Sequence, residues 1–182
     1  MPQLQRQPRL ASESRFNERI RRPLSRLPRL EDRRWILLAL PYGIVSIIIG
    51  INSGILHPSL PQLWELFLLP PILLVFPSII EESIFRGLLL PPSLDDASVR
   101  RRTFAVIAST ALFVAMHPLN HWLIGLSDTS LFTNPTFLVI VTLLGLTCAI
   151  QYLKTRSLWV PIATHWLTVV VWNLFLGRDL NL

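Results

Sequence analysis

Charged residues and cysteine are scarce in this sequence. Only 15% of its 182 residues are charged, 51% are hydrophobic, and the apolar residues come in long blocks rather than at amphipathic spacing. This composition is typical of a membrane protein and argues against a separate soluble domain. The single cysteine, Cys148, has no second cysteine with which to form an internal disulfide. It lies in the apolar run LVIVTLLGLTCAI, where we predict a small core residue.

Basic residues are concentrated in the first part of the chain. The net charge is +6, and ten of the seventeen Lys and Arg residues are arginines within the first 34 positions, just ahead of the first apolar block. This location favours a membrane orientation signal over nucleic-acid binding. A cleavable signal peptide is not indicated, because the charged region and the apolar block are too long and no small-x-small site follows. We therefore expect a retained anchor.

Five apolar blocks are long enough to cross a membrane, whose apolar core of about 30 Å requires about 20 helical residues. The sequence predicts an all-α, polytopic transmembrane helix bundle of about five spans with a basic N-terminal arm. The predicted spans are residues 35–56, 63–90, 104–126, 136–153 and 158–176. We expect residues 1–34 to form a basic cytoplasmic arm that is partly disordered, residues 35–176 to form the transmembrane domain, and residues 177–182 to form a short C-terminal tail.

The distribution of basic residues among the loops predicts the orientation in the membrane, because Lys and Arg concentrate in cytoplasmic loops. The arm, the loop with Arg100, Arg101 and Arg102, and the loop with Lys154 and Arg156 fall on one side. The segments HPSLP and SDTSLFTNP on the other side contain no Lys or Arg. We expect a multi-pass membrane protein with its N-terminus in the cytoplasm and its C-terminus outside.

Three ionisable residues interrupt the second apolar block, in the segment FPSIIEESIFRGLLLPP. If the helix continues to Leu90, Glu81 and Glu82 lie about 12 to 14 Å from its cytoplasmic end at 1.5 Å per residue. Charges at that depth are costly and require partners. Glu82 and Arg86 are spaced i, i+4 and can pair, whereas Glu81 is turned about 100° away. The alternative is a helix that ends near Ile80, which would leave the acids at the interface.

Two histidines in later spans are candidates for the partner of the second glutamate. His117 and His165 are both flanked by apolar residues, and each lies on its own predicted helix. A lone buried histidine is usually a core residue, but two histidines together with an intramembrane diglutamate indicate a shared polar site. His121 lies one turn beyond His117 and nearer the predicted outer surface, so it is a weaker candidate.

Three motifs resemble a known family. The string Glu81-Glu82-x-x-x-Arg86, the later Phe113-x-x-x-His117, and the segment SLWVPIATH ending in His165 are similar to the signatures of the CPBP (CAAX protease and bacteriocin-processing, Abi) family of intramembrane proteases. This family includes the type II CAAX prenyl endopeptidases. The resemblance implies a helical membrane protein whose glutamate and histidines face a water-filled cavity open to the cytoplasm and hydrolyse peptide bonds.

Peptide hydrolysis requires an activated water and a group that stabilises the oxyanion. A carboxylate in a dry site has a raised proton affinity, which suits a general base. The i, i+4 pairing and the resemblance favour Glu81 as this base, with His117 as the partner that orients the water; the reverse choice, with Glu82 as the base, stays open. Glu82 would then pair with Arg86, and His165 would donate to the oxyanion.

Zinc is the alternative to metal-free glutamate catalysis, although no cofactor is predicted. Glu81, His117 and His165 together would form a catalytic ligand set of two histidines and one glutamate. Each ligand would come from a different helix, unlike the two histidines of H-E-x-x-H, which share one helix face.

The sequence departs from the family after the last histidine. Many members carry Asn or Asp four residues later, where this chain has Val169. Asn173 is a poor substitute at eight residues, and Thr168 is the nearest hydroxyl on that helix. The five predicted spans are also fewer than the eight or so of CAAX endopeptidases, so a prenylated substrate is not assumed.

Two other function classes remain open: a catalytically inactive membrane scaffold or chaperone that retains the polar cluster, and a small transporter. Intramembrane Glu and His also occur in transport pathways, but the chain shows no internal repeat. The expected partners are membrane lipid and a peptide or protein substrate, with no nucleic acid. The sequence does not predict the oligomeric state.

Overall fold

The structure, a computed structural model, describes residues 17–90, 97–124 and 130–176. Five helices in these ranges are long and apolar enough to cross a membrane. They are α1 (Leu30–Asn52), α2 (Leu63–Leu88), α3 (Val99–Ile124), α4 (Pro135–Thr155) and α5 (Trp159–Leu176). The described ranges also contain the short helical segments Asn17–Arg21, Arg22–Ser25 and Ser130–Thr133, and no β-strand. The predicted all-α bundle of about five spans is confirmed.

The second helix continues past both glutamates. Pro70, Pro71 and Pro77 lie within α2, and the backbone leaves helical geometry at Phe76 (φ −129°, ψ 118°) before the helix resumes. Proline lacks the N–H that the helical ladder requires, so a bend near such a cluster is expected. Six further helical residues, Ser83–Leu88, follow the diglutamate and form wide π-type turns, which occur often at functional sites. The alternative of a helix ending near Ile80 is therefore wrong.

The centre of the bundle is α4, which packs against α1, α3 and α5 and is the most buried of the five helices. Its start is capped by the Asn134 side-chain oxygen, which accepts hydrogen bonds from the backbone N–H groups of Thr136 (2.8 Å) and Phe137 (3.3 Å). Small residues lie on its buried side: Gly145, Cys148 and Ala149. Small side chains allow neighbouring helices to approach closely.

Large apolar side chains cover the outer faces of α1 and α2. Exposed examples are Ile44, Ile48, Ile51, Leu66 and Phe67. A soluble monomer rarely exposes such a continuous apolar surface, whereas lipid chains cover it in a membrane. The chain is therefore an integral, multi-pass membrane protein.

The two ends of the bundle differ in charge. Arg19 contacts the carbonyl of Leu88 at the end of α2, and the backbone N–H of Leu158, in the turn before α5, donates to the carbonyl of Pro23. These contacts place the arginine-rich segment, the end of α2 and the α4–α5 turn together at what we call the basic end. At the opposite end, the backbone N–H of His57 donates to the carbonyl of Leu176 at 2.8 Å. The arm and the loop with Lys154 and Arg156 therefore lie at the same end, as predicted; the side of the membrane that this end faces stays a prediction.

The structure describes the second half of the predicted N-terminal arm. Residues 17–34 are described, and Ile20, Pro23 and Asp32 among them are buried. Residues 1–16 and the predicted tail 177–182 lie outside the described residues. The described part of the arm therefore belongs to the folded bundle.

Candidate active site

A buried ion pair lies at the level of the diglutamate. The Arg86 Nη1 atom lies 3.1 Å from Glu82 Oε1, and both side chains are 0% exposed. The i, i+4 pair predicted from the spacing is therefore present. Removing two charges from water is costly unless they are paired and hydrogen-bonded, so the remaining contacts of both residues are important.

The Arg86 guanidinium has two further contacts. Its Nη2 donates to the carbonyl of Gly145 at 3.0 Å, and its central carbon lies 4.6 Å from the centre of the Phe113 ring. Gly145 also allows α3 to approach α4 closely, because a Cβ atom there would lie 2.9 Å from Thr110 Cγ2 and 3.3 Å from Phe113 Cδ1. The guanidinium thereby connects α2 to α3 and α4.

His165 on α5 contacts both glutamates. Its Nδ1 lies 2.9 Å from Glu82 Oε1, and its Nε2 lies 4.0 Å from Glu81 Oε2. Because a carboxylate can only accept a hydrogen bond, Nδ1 is the donor to Glu82. In the neutral imidazole, Nε2 then presents its lone pair toward Glu81. Glu82 thus accepts hydrogen bonds from both Arg86 and His165, whereas Glu81 lies near His165.

The second histidine occupies an aromatic pocket. Nδ1 of His117 donates to the carbonyl of Phe113 at 2.9 Å, one turn earlier in α3. The His117 ring centre lies 5.0 Å, 6.1 Å and 5.7 Å from those of Phe113, Phe132 and Phe137. The Phe113 ring also contacts His165, at 5.8 Å. The histidine beside Glu81 is therefore His165, and Phe113 contacts both histidines.

Two other candidates from the sequence, Thr168 and Asn173, do not join this cluster. Thr168 Oγ1 donates to the carbonyl of Thr164 at 2.8 Å, and Asn173 Nδ2 donates to the carbonyl of Val169 at 2.7 Å, each within its own helix. Thr168 lines a separate cavity of about 190 Å³ between α1 and α5, together with Tyr42 and Ser46. His121 lies within α3, but its side chain is outside the described part of the structure.

Sequence reasoning missed residues that support the site. Gly145 accepts from Arg86, and Ser109 Oγ donates to the carbonyl of Phe85 at 2.6 Å, which joins α3 to α2. Phe113 appeared only as part of a motif, yet it contacts Arg86 and both histidines. A glycine inside an apolar helix is a signal for close helix approach and could have indicated Gly145.

The zinc alternative requires Glu81, His117 and His165 around one point. Within residues 17–90, 97–124 and 130–176, no three His, Cys, Asp or Glu side chains are grouped so that they could hold a metal ion. Nδ1 of His117 donates to a backbone carbonyl and Nδ1 of His165 to Glu82, so Nε2 of each ring would be the atom that binds a metal. Glu81 and His165 alone supply two of the three ligands of a catalytic zinc site, so this arrangement does not fit the proposed set.

Comparison with known proteins identifies the family. Residues 61–171, more than half of the chain, match the family described as "Type II CAAX prenyl endopeptidase Rce1-like". The matched range includes Glu81, Glu82, Arg86, His117 and His165. No curated protein and no solved structure matches the chain. With its membrane-spanning helices and its buried glutamate–histidine–arginine cluster, the chain belongs to the Rce1-like family of type II CAAX prenyl endopeptidases.

Proposed function

We propose that the protein is an intramembrane endopeptidase that hydrolyses a peptide bond with a water molecule activated by Glu81, in a site open to the cytoplasm. The single observation that carries this proposal is the arrangement around His165, whose two ring nitrogens face the two glutamates at 2.9 Å and 4.0 Å. In this arrangement Glu81 and Glu82 have different roles.

Glu82 is suited to positioning. It is fully buried, and one of its oxygens accepts hydrogen bonds from both Arg86 and His165. A carboxylate that holds Nδ1 of a histidine fixes the tautomer and the orientation of the ring, as the buried acid of a catalytic triad does. Glu82 therefore directs Nε2 of His165 toward Glu81.

Glu81 is suited to base catalysis. Its side chain is 9% exposed, but Oε2 itself is buried and makes no hydrogen bond within the described residues. A water molecule can hydrogen-bond at about 2.8 Å to both of two atoms that lie 4.0 Å apart. Such a water would donate one hydrogen to Glu81 and the other to Nε2 of His165, which leaves an oxygen lone pair for attack.

The reaction balances with these residues. Glu81 takes a proton from the water while the water oxygen bonds to the carbonyl carbon of the substrate. The tetrahedral oxyanion then collapses, the C–N bond breaks, and the proton held by Glu81 passes to the leaving nitrogen. The products are one carboxylic acid and one amine, and Glu81 returns to its starting state.

His117 serves a different purpose in this proposal. Its N–H is used by the Phe113 carbonyl, so it cannot donate to an oxyanion without changing its tautomer. The sequence suggested His117 beside Glu81 and His165 at the oxyanion; the geometry supports His165 beside Glu81 and offers no N–H of His117 for the oxyanion. We assign His117 to packing beside Phe113, which contacts Arg86 and His165.

The position of Glu81 in α2 supports an approach from the cytoplasm. Glu81 lies seven residues before Leu88 at the basic end, about 10 Å along the helix at 1.5 Å per residue. Because basic residues favour the cytoplasmic side, water and peptide would enter from there.

An inactive scaffold is the second candidate function, and one observation favours it. Thr168 and Asn173 both donate to their own helix, and Val169 replaces the Asn or Asp found in many relatives. The site therefore shows no side-chain donor for the oxyanion on this part of α5. A scaffold could keep the buried cluster for packing alone.

Cleavage by the purified protein in lipid vesicles separates the two candidates. A mixed fluorogenic peptide library in H₂¹⁸O should give products whose new carboxylate contains one ¹⁸O. Glu81→Gln should lower turnover by about 10² to 10⁴, the usual cost of losing a general base. Glu65→Gln is the matched control, because it changes another buried glutamate at the far end of α2. If the wild-type protein cleaves no peptide, the scaffold is favoured.

A further inference from the structure

We propose that residues 18–26 form a strap that holds the end of α2 against the start of α5 and thereby positions Glu82 and His165. This inference rests on the proposed function of that site. The strap precedes the matched residues 61–171, so the family match does not account for it. Its exposed arginines suggest only an orientation signal, whereas its contacts indicate a structural link between the two helices that carry the site.

The strap contacts the last turn of α2. Arg19 Nη1 donates to the carbonyl of Leu88 at 3.1 Å. Carbonyls in the last turn of a helix lack partners within the helix, so this bond satisfies one of them. Ile20 is buried against Gly87, where a Cβ atom would lie 2.6 Å from Ile20 Cδ1 and 3.0 Å from the carbonyl oxygen of Arg19. Gly87, next to Arg86 in the sequence, is therefore the position at which the strap crosses α2.

The same strap contacts the turn that leads into α5. The Leu158 N–H donates to the Pro23 carbonyl at 3.1 Å. The indole N–H of Trp159 donates to the Leu24 carbonyl, and the Ser157 hydroxyl donates to the Arg26 carbonyl, each at 2.6 Å. Three consecutive residues, two in the turn and the first of α5, are thus bonded to the strap.

These contacts lie close to the catalytic pair along both helices. Glu82 is five residues before Gly87, and His165 is six residues after Trp159. Helices in a membrane gain little from hydrophobic association, so packing and hydrogen bonds determine their spacing. A displacement of about 1 Å at a catalytic group can cost about 10²-fold in rate. The strap therefore maintains the distance on which the Glu82–His165 hydrogen bond depends.

Three arginine variants test the positioning role in the peptide cleavage assay. Arg19→Ala removes the bond to Leu88 and should lower kcat about 10-fold or more with little change in KM, because geometry rather than substrate binding is altered. Arg19→Lys retains a donor and should recover most of the loss. Arg21→Ala removes the same charge from an exposed position and should match the wild type. Equal kcat values for Arg19→Ala and Arg21→Ala would overturn the proposal.

A second variant covers the case in which Arg19→Ala does not fold. Trp159→Phe retains an aromatic ring and deletes only the N–H that the Leu24 carbonyl accepts. It should lower kcat in the same direction, again with little change in KM. An unchanged kcat for this variant contradicts the positioning role.

A cysteine pair tests the contact without any cleavage assay. Ile20→Cys removes the Cδ1 atom that a side chain at position 87 would meet, and the Arg19 carbonyl oxygen, at 3.0 Å, must then shift slightly to accommodate Gly87→Cys. Oxidation should form a disulfide, and the oxidised protein should then take up two fewer maleimide–polyethylene glycol labels than the reduced protein. The native Cys148 is fully buried and can stay. Two thiols that remain free after oxidation refute the strap. If the cysteine pair forms a disulfide but the wild-type protein cleaves no peptide, the contact is established, whereas the proposed function and the positioning role are refuted.

Discussion

The buried Arg86 offers the sharpest test of how the site is held together. Arg86→Ala removes the partner of Glu82, the donor to Gly145 and the cation beside Phe113 in a single change. Because both members of the pair are fully buried, the substitution leaves a carboxylate without its counter-charge in the interior of the bundle. The protein should lose stability rather than merely activity.

The expected loss follows from the contacts. Breaking a buried ion pair by removing one partner costs about 3 to 5 kcal/mol. His165 still donates to Glu82 and offsets part of this, and the Gly145 carbonyl is a helical carbonyl with a partner in its own helix. The lower part of the range, about 3 to 4 kcal/mol, is therefore expected. It corresponds to a change of roughly 100- to 1,000-fold in the ratio of folded to unfolded protein.

Reversible unfolding in detergent, monitored by tryptophan fluorescence, measures the effect on the free energy of unfolding. The control is the double variant Arg86→Ala with Glu82→Gln, which removes the stranded charge. It should recover about 2 kcal/mol, since a neutral amide is far less costly to bury than an unpaired carboxylate. A double variant no more stable than Arg86→Ala alone would refute the reasoning.

Three further predictions concern packing, the last helix and orientation. Gly145→Ala should lower the free energy of unfolding by about 1 to 3 kcal/mol, because its Cβ would lie 2.9 Å from Thr110 Cγ2; the control is Gly43→Ala, also within a helix and with no atom within 4 Å, which should be as stable as the wild type or slightly more stable. Thr168→Val should leave turnover nearly unchanged, because its hydroxyl is bonded to the Thr164 carbonyl; a loss as large as that of His165→Ala contradicts this. A cysteine at the exposed Leu27 should react only with reagents that reach the cytoplasm, and labelling of intact cells from outside contradicts the orientation.

Local spacing in the sequence predicts several features correctly. The lengths of the apolar blocks predict the number of spans, and the i, i+4 spacing predicts the Glu82–Arg86 pair, because both depend on a single helix. The continuation of α2 beyond the glutamates follows from the apolar residues after them. These properties need no knowledge of neighbouring helices.

Contacts between helices are less accessible to sequence reasoning. Whether His117 or His165 lies beside Glu81 depends on how α3 and α5 rotate about their axes, and packing around Phe113 and Gly145 determines that rotation. The role of residues 18–26 depends on backbone carbonyls, which every residue carries, so no side-chain pattern indicates it. Arginine content suggested only the membrane orientation.

Chelation combined with one substitution tests the central claim, that Glu81 activates water without a metal ion. Turnover is measured on the same peptide, in the same vesicles, before and after treatment with a strong zinc chelator. The wild-type protein should keep its full kcat after chelation, and Glu81→Gln should be about 10² to 10⁴ slower under both conditions. Loss of wild-type activity on chelation with recovery on added zinc, or a Glu81→Gln rate within a few-fold of the wild type, would contradict the mechanism.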